Sequence, residues 1–334
     1  MRHYPFKGIT YTVGIILSLG LTLWGILFTQ GATPSLESLS LPSISTELFH
    51  LSEIALKALY SLWILLLGGA LYWLYEKSTL LEKHVGNLCL FIFICLTAAM
   101  GINVTFLGSL LMTIAVISLT ILLNGTSAKS ENSGNLIVGI GTSILFLQHP
   151  VYASLLIAWI LIAYMVKSLS LRSIMAMLLG FALVPIIIGP IAIYKLTLAG
   201  TLSNLQSWMK LSYAVHFPTN LRAIIFLVFS FLSFMTYTSG LHTENTKQRS
   251  WGSSLLSLGI VSSTFSIFYP NIGLETLAVI PTSLMSARAI CLLQGRSYSI
   301  ALIIFAVLII ALALSSQINL YSCYNHENGH RNCT

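Results

Sequence analysis

Aspartate is absent from this 334-residue chain: its nine acids are Glu37, Glu47, Glu53, Glu76, Glu82, Glu131, Glu244, Glu275 and Glu327. That absence excludes a DxD metal motif, an Asp nucleophile, a paired-Asp site and an EF-hand loop. Charge of either sign is scarce, 7% of residues against about 25% in soluble domains. HExxH, CxxC and GxSxG motifs are missing too, and Gly139-Ile140-Gly141 follows no soluble strand and opens no phosphate-binding helix. No cofactor and no metal centre are expected.

What the chain has in excess is hydrocarbon. Hydrophobic residues make up 56% and the mean hydropathy is +0.88. A water-soluble fold of this length would need more polar surface to cover itself, and hydrocarbon as solvent removes that need. The composition implies a membrane protein. The net charge of +7 comes from 16 Lys and Arg set singly or in pairs, never in a run. Nucleic-acid binders concentrate such residues on one face, so nucleic acid is not an expected partner.

A spanning helix needs about 20 mainly apolar residues, and lipid requires backbone groups to be bonded within the segment. The expected fold is all-α, a polytopic transmembrane bundle with candidate spans at 9–29, 55–75, 86–101, 105–123, 136–148, 151–166, 173–194, 221–240, 251–269, 272–290 and 298–316. Segment 136–148 is short and ends in Gln148-His149-Pro150, which allows a full or re-entrant hairpin with 151–166. Segment 251–269 is rich in Ser and Gly, a composition suited to facing other helices. The span count is therefore nine to eleven. Residues 1–320 read as one transmembrane domain and 321–334 as an external tail.

Placing the N-terminus in the cytoplasm puts eleven of the sixteen Lys and Arg inside, from Arg2 and Lys7 to Arg288 and Arg296. Residues 30–54 then form an external segment with three Glu and no Lys or Arg. The expectation is N-in and C-out. The first apolar stretch is about twice the length of a signal-peptide core and lacks a small-x-small cleavage site, so it is expected to remain as a span.

Outside the bilayer, Leu202, Leu205, Trp208, Met209 and Leu211 share one face of an expected amphipathic helix within 195–220. In the tail, Cys323 and Cys333 could close a disulfide loop, stay unpaired, or join His326 and His330 around a metal. Cys89, Cys95 and Cys291 fall in spans and are expected as buried packing residues.

Ionisable groups at membrane depth are the first place to look for function. Glu275, His149 and Arg222, with His216 before it, all fall near the outer surface in this topology, and Glu53 leads into the second span. Glu with His can carry general acid–base chemistry, and Arg can hold a phosphate or carboxylate by a forked bond. The candidate catalytic set is Glu53, His149, Arg222 and Glu275, weighed against the plainer reading that each group snorkels to headgroups or caps a helix. Gly180, Pro185, Gly189 and Pro190 are expected to break the seventh span, either as a transporter's unwound segment or as a kinked packing helix.

The middle of the chain runs from Asn135-Leu-Ile-Val-Gly-Ile-Gly through His149-Pro150, a span with Trp159, the basic loop Lys167 to Arg172, and Leu179-Gly180 to Pro185. This order resembles an uncharacterised family of polytopic inner-membrane proteins of Bacteroidetes, over roughly residues 110–195. That family has an aromatic turn where this chain has Gln148-His149, and a more charged loop. The resemblance implies a bacterial inner (plasma) membrane and names no reaction. Three functions follow as expectations. The first is a non-catalytic component of envelope assembly or export, with the bilayer and other membrane proteins as partners. The second is a glycosyltransferase- or polymerase-like enzyme on lipid-linked sugars, using Glu47 or Glu53 with His149 and Arg222. The third is an ion or small-molecule transporter.

Overall fold

The computed structural model describes residues 53–77, 83–102, 105–124, 128–148, 150–166, 170–195, 221–240, 246–268, 273–293 and 296–327. The expected first span, the external segment up to 52, His149, the expected interfacial helix beyond 195 and Cys333 lie outside them. Among the described residues the fold is all helical, without a strand.

The helices are α1 Glu53–Lys77, α2 Lys83–Ala99, α3 Phe106–Asn124 and α4 Ala128–Gln148. A 3₁₀ turn, Pro150–Ala153, leads into α5 Ser154–Met165, followed by α6 Leu171–Lys195. Then come α7 Leu221–Gly240, α8 Thr246–Phe268, α9 Glu275–Leu292 and α10 Arg296–Glu327.

Among the described residues, two helices, over Ala55–Glu76 and Phe106–Leu123, are long and apolar enough to cross a membrane by length and composition, and six further apolar stretches span 10–17 residues. Helix α8 buries Ser254, Ser257, Ser262 and Ser266, and α9 buries Thr282, Ser283 and Ser286, so these helices face neighbours and need no continuous apolar run. Each of these hydroxyls has a bonding partner, for example Ser254 Oγ to the Ser250 carbonyl at 2.8 Å and Ser286 Oγ to the Thr282 carbonyl at 2.7 Å.

Three boundaries differ from expectation. Helix α4 begins at Ala128 rather than 136, because a helix is bounded by its hydrogen-bond ladder and not by its apolarity. Gly134 lies against Ile121 of α3, so even this polar first half is packed. The expected short hairpin is thus a 21-residue helix, a 3₁₀ turn and α5. Helix α10 continues through 321–327, the first half of the expected tail.

The third difference concerns α6, which runs unbroken through Pro185 and Pro190. Proline has no N–H to offer the carbonyl four residues earlier, here that of Phe181. Ser143 Oγ of α4 donates to that carbonyl at 2.6 Å. A neighbouring hydroxyl thus meets the need the proline creates, as buried backbone in an apolar medium demands.

Helices α4 and α6 run parallel, with Gly139 beside Met177 and Ser143 beside Phe181. Their backbones touch: a Cβ at Gly139 would collide with the Met177 carbonyl, and one at Gly180 with the Leu136 carbonyl. Glycine at both positions is what permits this approach. Trp159 of α5 is fully buried against α4 and donates to Thr142 Oγ1 at 3.1 Å.

Helix α9 is the centre of the bundle. Residues 277–287 are buried without interruption, and α2, α3, α7, α8 and α10 all pack on it. Outward faces are apolar: Leu62, Leu66 and Trp73 on α1, Leu179 and Ile186 on α6, and Ile303 and Val307 on α10 are exposed.

Candidate functional site

The central helix holds the charged groups of interest at its two ends. Glu275 opens it and Arg288 stands thirteen residues on, about 20 Å along the axis at 1.5 Å per residue. Gly273 carries the chain into the helix with φ +83°, a left-handed conformation that favours glycine. Thr276 Oγ1 donates to the Gly273 carbonyl at 2.7 Å and closes this turn. Glu275 then sits in the first turn, where a negative charge is favoured by the unpaired N–H groups.

Glu275 is half-buried, and its charge acts on the phenol of Tyr152, a fully buried side chain of the 3₁₀ turn. The turn that follows His149 in sequence therefore lies within electrostatic reach of the start of α9. Sequence reasoning singled out Glu275 as an acid but missed Tyr152, which looked like one more aromatic in an apolar span.

Helix α7 lies parallel to α9 in a register set by two hydroxyl pairs. Thr282 Oγ1 donates to Ser230 Oγ at 3.0 Å, and the Ser233 and Ser286 hydroxyls are 2.9 Å apart. Carried to the helix starts, this register sets the backbone of residue 222 level with residue 274, beside Glu275. Helix α1, which begins at Glu53, runs parallel to α3, with the Tyr60 ring 6.2 Å from that of Phe106 and Trp63 Nε1 donating to Thr113 Oγ1 at 2.8 Å. The side chains of Glu53 and Arg222 are outside the description, as is His149. What the fold brings together is thus the start of α7, the start of α9 and the 3₁₀ turn.

Between the two ends the central helix carries hydroxyls. Ser283 lines a small cavity of about 10 Å³ with Tyr75 and Cys89, a volume suited to about one water. The Cys89 thiol lies 3.9 Å from Ser283 Oγ, and Cys89 and Cys95 are buried free thiols, while Cys291 is half-buried. Among the described residues no three His, Cys or Glu cluster to hold a metal.

At the other end, Arg288 lies over the Tyr237 ring, 5.7 Å from its centroid. The Tyr237 hydroxyl rests on Gly252 of α8, where any Cβ would strike it, and Trp251 beside it is buried. Ser250 Oγ donates to the Met165 carbonyl, tying the start of α8 to the end of α5. Arg288 was legible only as one loop charge among several. The signal was its isolation: it is the sole base between residues 250 and 295.

Comparison with known proteins adds no relative: no family model matches the chain, and neither a curated protein nor a solved structure matches it.

Proposed function

We propose that the chain is a multi-pass protein of a bacterial inner membrane, with nine to eleven spans, N-in and C-out, acting as a non-catalytic component of envelope assembly or export. The observation that carries this reading is the inverted polarity of the bundle. Large apolar side chains face outward on α1, α6 and α10, while Ser and Thr of α7, α8 and α9 are buried, those of α7 and α9 bonded to each other and those of α8 mainly to their own helix. Water as solvent would favour the reverse arrangement. The resemblance of residues 110–195 to Bacteroidetes inner-membrane proteins adds the bacterial setting. The expected partners are the bilayer and other membrane proteins. Hydroxyls rather than acids line the middle of the central helix, which suits packing better than ion passage. Helix α6 is continuous through Pro185 and Pro190, which fits the kinked-packing alternative for this segment.

Alkaline carbonate extraction tests membrane integration, with the protein expected in the pellet. Single cysteines at positions 37, 149, 216 and 275 in a Cys-free background, exposed to an impermeant thiol reagent on spheroplasts, test orientation. Labelling at 37 supports N-in, C-out, and protection there inverts the topology.

A second reading, an enzyme on lipid-linked sugars at the outer face, is favoured by one observation. The α7–α9 register and the Tyr152–Glu275 neighbourhood gather the start of α7, Glu275 and the turn after His149 at one end. Glu275→Gln in correctly inserted protein is then expected to make lipid-linked intermediates accumulate. An unchanged lipid-linked glycan profile would sink this reading.

A further inference from the structure

We propose that the end of the bundle opposite Glu275 carries a site for the phosphate of an anionic phospholipid, centred on Arg288 and Tyr237. This inference rests on the membrane reading above and deepens it by naming a lipid partner.

Several helix ends meet there. Tyr237 stands three residues before the end of α7, Arg249 and Trp251 lie in the first turns of α8, and Arg288 lies four residues before the end of α9. The bond from Ser250 to the Met165 carbonyl brings the end of α5 to the same level. In sequence, segments 166–172, 241–250 and 288–296 hold six Lys and Arg and one acid, Glu244. In sequence the charge balance of these three segments is therefore positive.

The geometry suits a headgroup better than a diffuse positive surface would. Arg288 is half-buried on the helix against which α2, α3, α7, α8 and α10 pack, and Tyr237 beneath it is buried and braced on Gly252. A guanidinium over an aromatic face directs its five N–H donors outward in its own plane. That plane matches the forked geometry in which a guanidinium holds a phosphate. Trp251 and Tyr237 supply the amphipathic aromatic rings that favour headgroup depth, and Arg249 is exposed beside them in sequence. Phosphatidylglycerol presents one phosphate with a net negative charge, whereas phosphatidylethanolamine carries its own ammonium to cancel it. The site is therefore expected to select the former.

Native mass spectrometry of the full-length, detergent-purified protein, titrated with phosphatidylglycerol or phosphatidylethanolamine, measures this selection. Wild type is expected to retain phosphatidylglycerol preferentially. Arg288→Gln is expected to weaken that binding about fivefold, the loss of one basic group near an anionic headgroup (~1 kcal/mol). Arg288→Lys, which keeps the charge but loses the fork, is expected to fall between them, and unfolding temperatures check that both variants are folded. Arg172→Gln, at the exposed start of α6, is the control for diffuse charge and is expected to lose clearly less than Arg288→Gln. Equal binding of the two lipids by wild type, or equal losses in Arg172→Gln and Arg288→Gln, would overturn the site. Extraction of the protein by carbonate would instead overturn the membrane reading, so the two failures are distinguishable.

Discussion

Single glycines and a single serine govern the tightest contact in the molecule. At Gly139 and Gly180 an added methyl meets a backbone carbonyl of the facing helix, which cannot rotate away as a side chain can. Gly139→Ala and Gly180→Ala are each expected to destabilise by about 1–3 kcal/mol, measured by thermal unfolding in detergent. Gly69 has nothing within 4 Å of its would-be Cβ, so Gly69→Ala is expected to stabilise by about 0.5–1 kcal/mol. A common effect at all three would mean the α4–α6 contact is looser than described. The serine prediction is conditional. Ser143→Ala strands the Phe181 carbonyl that Pro185 leaves without its helical donor, at a cost of about 1–3 kcal/mol. In a Pro185→Ala background an N–H returns, and the same serine substitution is expected to cost markedly less. Equal cost in both backgrounds would refute the compensation. None of this was legible in the sequence, where Pro185 and Gly180 looked like helix breakers. The partner that repairs the break lies 38 residues away.

Among the helices, α9 is decided by its neighbours. Its Ser and Thr content weakens it as an isolated span, yet it is the most enclosed helix, and the same hydroxyls join it to α7. A double-mutant cycle on Ser233→Ala and Ser286→Ala is expected to give a coupling of about 0.6 kcal/mol, the usual size for such bonds within membrane bundles. Coupling indistinguishable from zero would separate α7 from α9 at that level. The Ser-rich α8 was readable beforehand as a helix that faces other helices, because hydroxyls in lipid need partners. The full length of α4 was not, since its first half is polar and the packing that accommodates it comes from α3. The candidate site was partly legible for the same reason. Glu275 stood out as a rare acid, whereas its proximity to Tyr152 and the levelling of residue 222 with it arise from how α5 and α7 pack.

For the whole molecule, the outward apolar faces are where the proposed lipid solvent can be tested against water. Ile303 on α10 is 63% exposed. In water, Ile303→Lys would be neutral or improve solubility. In a bilayer it is expected to cost about 2.5–3.5 kcal/mol of insertion free energy near the helix centre. A reporter of membrane insertion fused after α10 reads the difference, and unimpaired insertion would count against lipid contact on that face.

The sequence by itself determined the kind of element and supplied the ground for the membrane proposal. With 7% charge, no aspartate and long apolar runs, the chain has little polar material with which to cover a water-facing surface. Backbone groups without water must then bond locally, which leaves helices. Only the tertiary structure decided which helix lies at the centre, which prolines are tolerated, and which ionisable residues come to share an end. Those outcomes rest on contacts between distant segments, from Ser143–Phe181, 38 residues apart, to Cys89–Ser283, 194 residues apart. Local composition carries no information about such pairings, because any small residue or hydroxyl could serve, and the packing selects the ones that do.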